Sequence, residues 1–482
     1  MSSVLSHHAD RGPVSPLRIL AGQAFSRAAG APLVPGNSLR ILKDAGENYP
    51  AWLEAIRSAN REILFENYII HEDDVGRQFA SLLAAKGREG ISVRLIYDWM
   101  GSSGGASRSF WRNLREAGVE VRCFNPLRLE SPLGWLSRDH RKMISVDSRV
   151  GFITGVCVDR KWLGSPERGI DPWRDTGVEI KGPAVADIER AFAETWAACG
   201  PPIPAEELPP SRESIASAGD VALRIVSTSP SVAGVYRLDQ LIAAVARRSI
   251  WLTDAYFVGT TAYVQALRAA ALDGVDVRLL VPRSSDIPLV GSLSRLGFHP
   301  LLEAGIRVFE WNGPMLHAKT AVADGRWARV GSTNLNLASW IGNWELDVVA
   351  EDEPFAQAME KMYLDDLTHS TEIVLSARRR LRLSQEPEHS SHRTKRAPGS
   401  GGRAARGALT LGSTVGAAMT RRRLLGPAEW TIMVYAGLLL LGLAAVAVLW
   451  PRVIAIPLAV FGVWLAVSLL IQAYKLRSKR NR

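Results

Sequence analysis

Cysteine is scarce in this chain: three residues, Cys123, Cys157 and Cys199, among 482. An odd, widely spaced set argues against a disulfide framework and fits a reducing compartment. Metal-ligand spacing is missing as well. His7-His8, His71 and the scattered aspartates form no pattern that a transition metal would need, and they read as solvated or structural. Residues 1–36 lack an apolar h-region, so no secretory signal peptide is expected there. Acidic balance is absent too. The net charge is +10 and the isoelectric point near 9.7, which suits an anionic partner.

What the chain does have is a motif used twice. His140-Arg-Lys142 with Asp147 matches His317-Ala-Lys319 with Asp324 at a constant offset. The match runs on, Thr154-Gly155-Val156-Cys157 aligning with Gly331-Ser332-Thr333-Asn334. From Lys142 to Asp147 and from Lys319 to Asp324 the residues alternate and are partly β-branched, so His and Lys should share one face of a strand. That sets an imidazole, able to act as nucleophile or proton donor near neutral pH, beside a cation able to hold phosphate oxygens. Each Asp is expected to close its strand at a turn and to orient the partner motif's histidine. A second strand follows each turn. A single His-x-Lys arises often by chance, and a lone strand histidine is more often structural; two copies in register point to one site built from two halves.

The repeat extends upstream. Strand patterns at 61–70 and 248–257 are each preceded by an amphipathic helix, 49–59 and 236–247, and followed by another, 75–86 and 261–272. Strands at 92–97 and 276–281, then 119–124 and 306–310, complete each copy. Strands alternating with helices predict an α/β fold of two duplicated lobes, with mixed, mostly parallel sheets covered by helices. The proline-rich stretch 200–210 marks the boundary. It gives an amino-terminal extension at 1–36, a first lobe at 37–199, a linker at 200–219 and a second lobe at 220–376. Facing lobes would bring both motifs into one cleft.

The carboxy end is of another kind. Residues 377–429 are too polar to fold alone, and their basic clusters at 378–382 and 393–396 suit an anionic membrane surface. Two uncharged apolar runs follow, 430–450 and 453–474, each long enough to span a bilayer as a helix. Arg421-Arg422-Arg423 precede them and a basic tail at 475–482 follows, against a single Arg452 at the connecting turn. That bias predicts a multi-pass transmembrane hairpin with both ends, and the lobes, on the cytoplasmic side.

His-x-Lys, four residues, Asp, six residues, then Gly-Gly or Gly-Ser and an Asn two further on resembles the signature of the phospholipase D superfamily, over residues 37–370. The second copy carries all of it: His317, Lys319, Asp324, Gly331, Ser332 and Asn334, with Ser339, Asn343 and Glu345 downstream also in the pattern. The first has Thr154 in place of the first Gly and Cys157 in place of Asn. Pro172 to Val185 and His140-Arg-Lys-Met143 resemble the bacterial cardiolipin synthases within that superfamily.

The resemblance implies that His140 attacks phosphorus to form a phosphohistidine while His317 acts as general acid and then base. Lys142 and Lys319, with Ser332 and Asn334, would hold the phosphate oxygens. Asp147, Asp324, Asp175 and Glu345 would orient or polarise the histidines, Asp175 standing in the first half where Glu345 stands in the second. Two lysines can carry the charge often given to a divalent ion, so neither metal nor cofactor is expected. The implied activity is phosphatidyl transfer between phospholipids, cardiolipin synthesis from phosphatidylglycerol in a bacterial cell membrane being the favoured case. A phospholipase D hydrolase releasing phosphatidic acid would use the same residues. A nuclease of the superfamily fits the basic charge but not a bilayer anchor, so no nucleic-acid partner is expected. A catalytically dead scaffold has only Thr154 and Cys157 in its favour.

Overall fold

The computed structural model describes residues 16–126 and 137–375 apart from 231, with scattered positions between 441 and 470. The first half runs α1 (Pro16–Ala29), β1 (Val34–Lys43), α2 (Asp44–Arg57), β2 (Glu62–Asn67), α3 (Asp74–Arg88), β3 (Ser92–Asp98), α4 (Arg108–Glu116) and β4 (Glu120–Phe124). It continues through β5 (Lys142–Val146), β6 (Val150–Thr154), α5 (Arg160–Leu163), β7 (Thr176–Lys181) and α6 (Val185–Cys199). The second half opens with β8 (Val221–Thr228), α7 (Gly234–Val245), β9 (Ser249–Thr253), α8 (Thr261–Leu272), β10 (Asp276–Pro282), α9 (Pro288–Leu296), α10 (Phe298–Glu303) and β11 (Arg307–Trp311). It closes with β12 (Thr320–Ala323), β13 (Trp327–Gly331), β14 (Glu345–Ala350), α11 (Glu353–Thr368) and β15 (Ser370–Ile373).

Several helices begin where their sequences supply caps. Asp73, Ser107, Thr260 and Asp352 each accept a first-turn N–H, of α3, α4, α8 and α11 respectively. Apolar stripes such as Trp52, Leu53 and Ile56 on α2, or Leu238 and Ile242 on α7, then bury in the cores of their halves.

The 15 strands form one sheet, ordered β15-β11-β10-β9-β12-β13-β14-β8-β1-β7-β6-β5-β2-β3-β4. Apart from the extra edge strand β15, each half contributes the same strand order from its outer edge to the seam, where β8 runs antiparallel to β1. The expectation of mostly parallel pairing is overturned. Parallel ladders are confined to β2–β3–β4 and β9–β10–β11, where helices cross over between strands. The other ladders, including both motif hairpins and the seam, are antiparallel. Connection length is the reason: tight turns join β5 to β6 and β12 to β13, and a tight turn can only reverse the chain.

On one face α6 and α11 cover a core drawn from both halves, including Ile153 and Val178 beside Val330 and Val348. Within 1–36 the structure places α1 and the start of β1, and Ala29 and Ala31 lie in the core of the second half. The linker 377–429, the basic tail 475–482 and most of the apolar runs at 430–450 and 453–474 lie outside the described residues. No helix of the described residues is long and apolar enough to cross a membrane.

Candidate active site

Each motif lies at the carboxyl end of a parallel strand. Lys142 pairs with Asn67, the last residue of β2, and Thr320, just after Lys319, pairs with Thr253, the last of β9. Both hairpins then turn through two residues of positive φ, Asp147 and Ser148 at 56° and 54°, Asp324 and Gly325 at 54° and 62°. That is the left-handed pair a tight antiparallel hairpin needs. An aspartate in this conformation costs about 1–2 kcal/mol, and here its hydrogen bonds offset the cost. Asp147 accepts the backbone N–H groups of Asn60, Arg61 and Glu62, each at 2.9 Å. Asp324 accepts those of Arg247, Arg248 and Ser249 at 3.0, 2.7 and 3.0 Å. Burial raises the Asp147 carboxyl, but the three donors bring it below its ordinary value. These carboxylates lash each turn to the start of β2 or β9, at the far end of the strand from the histidine. The expectation that Asp147 and Asp324 orient the histidines is therefore corrected.

The histidines are oriented by the opposite halves. His140 Nδ1 lies 2.9 Å from Glu345 Oε2, and His317 Nδ1 lies 2.8 Å from Asp175 Oδ2. The backbone repeats the crossing: His140 N–H donates to the Trp344 carbonyl at 2.9 Å and His317 N–H to the Arg174 carbonyl at 2.7 Å. Two buried arginines pin the crossing segments. Arg141 donates to the Glu345 carbonyl at 3.2 Å, to the Ala191 carbonyl and Thr195 hydroxyl of α6, and to Ser227 and Thr228 of β8. Arg174 donates to both carboxylate oxygens of Asp366 on α11 at 2.8 Å and to Asp44 at 3.1 Å. Charge-assisted bonds in a dry interior are strong, and losing one partner is costly.

Burial holds His140 below the ordinary histidine value, with Glu345 resisting and Lys142 and Lys319 assisting. Burial and Lys319 press His317 down to about 4 against the pull of Asp175. The carboxylates respond in the opposite sense. Burial raises Asp175, but His317, Lys319 and the Trp162 indole outweigh it and leave the group at about 2. Glu345 likewise falls, because His140 and Lys142 overcome its burial. Each imidazole is thus neutral, gives Nδ1–H to an ionised carboxylate, and keeps the Nε2 lone pair for other work.

Burial brings Lys319 down to about 8, opposed by Asp175 and Asp254 and helped by Lys142. Each lysine acts electrostatically on both histidines, so the two motifs share one site. Lys142 Nζ donates to the His140 carbonyl and Lys319 Nζ to the His317 carbonyl, and their remaining N–H groups meet no other acceptor among the described residues. With both carboxylates committed to the imidazoles, the two ammonium groups favour an added anion. Aromatic rings wall the site: Tyr68 stands 5.0 Å from His140, and Trp162, Tyr256 and Trp173 stand 5.2, 5.8 and 5.9 Å from His317, between ring centroids.

Ser332 Oγ accepts the Leu346 N–H at 2.9 Å and so ties the end of β13 to β14, beside Glu345. Asn334 is buried 3.5 Å from Ser339 Oγ, and its Oδ1 has no partner among the described residues. The departures in the first motif have local causes. Thr154 faces Gly177 across the ladder, whereas Gly331 faces Asp347. A Cβ on Gly331 would lie 2.3 Å from Asp347 Oδ1, and one on Gly177 would lie 2.7 Å from Thr154 Oγ1. Each half pairs one small residue with one larger one, in opposite order. Cys157 is fully buried, and burial pushes its thiol up to about 11, so it brings no charge to the site.

Trp162, whose indole N–H donates to Asp175 at 2.8 Å, does not follow from the sequence, nor do Tyr68, Tyr256, Arg141 and Arg174. Arg141 sits inside the first motif and Arg174 beside Asp175. Adjacency was the only signal, and it says nothing of a guanidinium reaching across a seam.

Fused α/β halves that cross their histidines and carboxylates beside two buried lysines define a two-motif, phospholipase D-like protein. In fold the chain is similar to phosphatidylserine synthase from Haemophilus influenzae Rd KW20, with a TM-score of 0.56 at 14% identity, over 73% of this chain and 91% of that one. The family described as cardiolipin synthase, PLD-like domain, matches residues 52–196 and 239–367, and the chain belongs to it. It is 34% identical over 375 residues to cardiolipin synthase A of Pseudomonas fluorescens (strain SBW25), covering 76% of this chain and 75% of the relative. It is 32% identical over 350 residues to cardiolipin synthase of Alkalihalophilus pseudofirmus, covering 72% and 69%.

Proposed function

We propose that the chain is a membrane-anchored phosphatidyltransferase that makes cardiolipin from two molecules of phosphatidylglycerol through a phosphohistidine. The observation that carries this reading is the crossed pair of neutral imidazoles, His140 on Glu345 and His317 on Asp175, beside two buried lysines. Membership of the cardiolipin synthase family supports the substrate.

His140 Nε2 attacks phosphorus, forming a P–N bond as the P–O bond to glycerol breaks, and His317 protonates the departing oxygen. A hydroxyl of the second phosphatidylglycerol then returns a proton to His317 and attacks the phosphohistidine. The P–N bond breaks and cardiolipin leaves. Lys142 and Lys319 hold the non-bridging oxygens, with Asn334 as a further donor, while Ser332 keeps the Glu345 strand in place. The arriving phosphodiester anion favours the imidazolium that the general acid must become. The reverse order of roles has one observation in its favour: His317, held at about 4, stays neutral throughout the physiological range and is always ready to attack. Peptide mapping of the trapped phosphohistidine separates the two orders.

Water in place of the second lipid would make the enzyme a hydrolase; the aromatic wall around His317 favours the lipid alcohol. The apolar runs at 430–450 and 453–474 read as a hairpin anchor that keeps the catalytic body at the cytoplasmic face of a bacterial membrane. Purified protein given phosphatidylglycerol should yield cardiolipin and glycerol in equal amounts. Phosphatidic acid as sole product would replace transfer by hydrolysis, and DNA cleavage without lipid turnover would replace the substrate class.

A further inference from the structure

Of the thirteen large apolar side chains left exposed on residues 16–375, Leu272 and Val374 among them, six lie in the segments around the site. Met100 follows β3, Ile170 lies between β6 and β7, Val258 follows β9, Ile287 follows β10, and Leu337 and Ile341 follow β13; each is between 38% and 56% exposed. These loops leave the strand ends at which the two motifs lie. Hydrogen bonds tie them to the site. Asp98 accepts the N–H groups of both Met100 and Asp139, the neighbour of His140, at 2.8 and 3.0 Å. Asp286, before Ile287, accepts the Tyr256 hydroxyl at 2.7 Å, and Asn336, before Leu337, donates to the Tyr256 carbonyl at 3.0 Å. Tyr256 is one of the rings against His317. Ile170 leads within three residues to Trp173, another of those rings. A single exposed apolar residue is ordinary. A rim drawn from both halves around one site marks an interaction surface.

We propose that this rim is the face on which the protein seats on a phospholipid leaflet, its apolar side chains entering the interfacial layer while the cleft stands over the headgroups. The proposal rests on the substrate being a phospholipid. Acyl chains keep such a phosphodiester at the bilayer surface, so a buried site reaches it only by coming down to that surface. Arg168 and Arg283 are exposed in the same segments, with Lys161 on α5, which lies 3.9 Å from Asp159; the acidic neighbours are exposed Asp171, Glu167, engaged by Arg160, and Asp286, which accepts the Tyr256 hydroxyl. The net charge of +10 on the chain complements anionic headgroups.

The test uses the full chain and two forms of phosphatidylglycerol, long-chain in vesicles and short-chain as dissolved monomers. The double variant Leu337→Ser with Ile341→Ser, and separately Ile170→Ser, should lose about tenfold or more of their turnover on vesicles and keep it on monomers. Wild-type rates on both lipids would overturn the proposal, and so would equal losses on both. An environment-sensitive fluorophore on the Leu337→Cys variant, with Cys123→Ser and Cys199→Ser, should shift to the blue on reconstitution into phosphatidylglycerol vesicles. Unshifted emission overturns the docking face whatever the catalytic result. A wild-type protein that transfers no phosphatidyl group from either lipid overturns the proposed function, and the fluorophore still decides the rim.

Discussion

At equivalent positions behind their motifs the two halves are filled differently. In the first half Trp52 on α2 and Phe152 on β6 belong to an apolar core with Tyr49, Phe65 and Phe79, whose rings pack edge to face. In the second half those positions hold Asp239 and Arg329, and Asp347 stands where the first half has Gly177. Arg329 lies 3.0 Å from Asp347 and 3.3 Å from Asp239, all buried. Burial raises Asp347 to about 6 and Asp239 to about 7 even with the guanidinium between them. Such a triad is no more stabilising than apolar residues of equal volume. What it adds is direction. Arg329 donates to the Thr333 carbonyl at 3.3 Å and Asp347 accepts the Thr333 hydroxyl, which fixes the loop carrying Ser332 and Asn334. The first half presents Gly155 and Cys157 in that loop and has no amide to aim. A polar core serves the half whose loop has hydrogen bonds to place.

The sharpest way to break the equivalence of the halves is at the histidines. His140→Ala and His317→Ala should each lower turnover by about 10⁴-fold or more in a steady-state lipid assay, because the residues act as a unit. Retention of even a few per cent in one of them would mean that a single half suffices. Next come their partners: Asp175→Asn and Glu345→Gln should each cost about 10²–10⁴-fold in kcat, since a neutral amide permits the wrong tautomer. A marked inequality would show which histidine depends more on its carboxylate.

The cores can be compared by denaturation. Arg329→Met should destabilise by about 3–5 kcal/mol because two buried carboxylates lose their partner. Adding Asp239→Leu and Asp347→Leu should recover most of that while leaving turnover low, through the loosened Thr333 loop. A pH series sharpens the contrast further. The folded value of His317, about 4, lies below its ordinary 6.5, so the unfolded chain takes up the proton first. The stability it contributes is present above pH 6.5 and lost as pH falls toward 4, on the order of 3 kcal/mol at about 1.4 kcal/mol per unit. His317→Gln should flatten that limb. The smallest effect is expected at Thr154→Gly, about 1 kcal/mol in denaturant midpoint, from chain entropy and the space left opposite Gly177.

Local features were the most legible in the chain itself. The motif hairpins follow from alternation and turn chemistry, and α8 spans the residues that apolar periodicity marks, because both depend on neighbours in sequence. Pairing direction is less legible, because strand–helix alternation marks the parallel crossovers and not the short hairpins that reverse the chain. The roles of Asp147 and Asp324 were misassigned for a related reason: spacing places them near a histidine in sequence, while the strand carries them to its other end. Which carboxylate serves which histidine is decided at the seam, and no local pattern encodes a seam. Helix α1 escaped notice because the core it joins is made by residues roughly 200 positions later, as with Ala29 and Val235.

The crossing also sets a clock for synthesis. His140 and Glu345 are 205 residues apart in sequence, and His317 and Asp175 are 142 apart. At translation rates of about 5–20 residues per second, Glu345 leaves the ribosome roughly 10–40 s after His140. Through that interval the first histidine has no carboxylate to hold its ring, and for most of it the second histidine does not exist. A chain cut short before β14 is therefore expected to be inert rather than half active, and a growing chain cannot begin phosphatidyl transfer until the seam has closed.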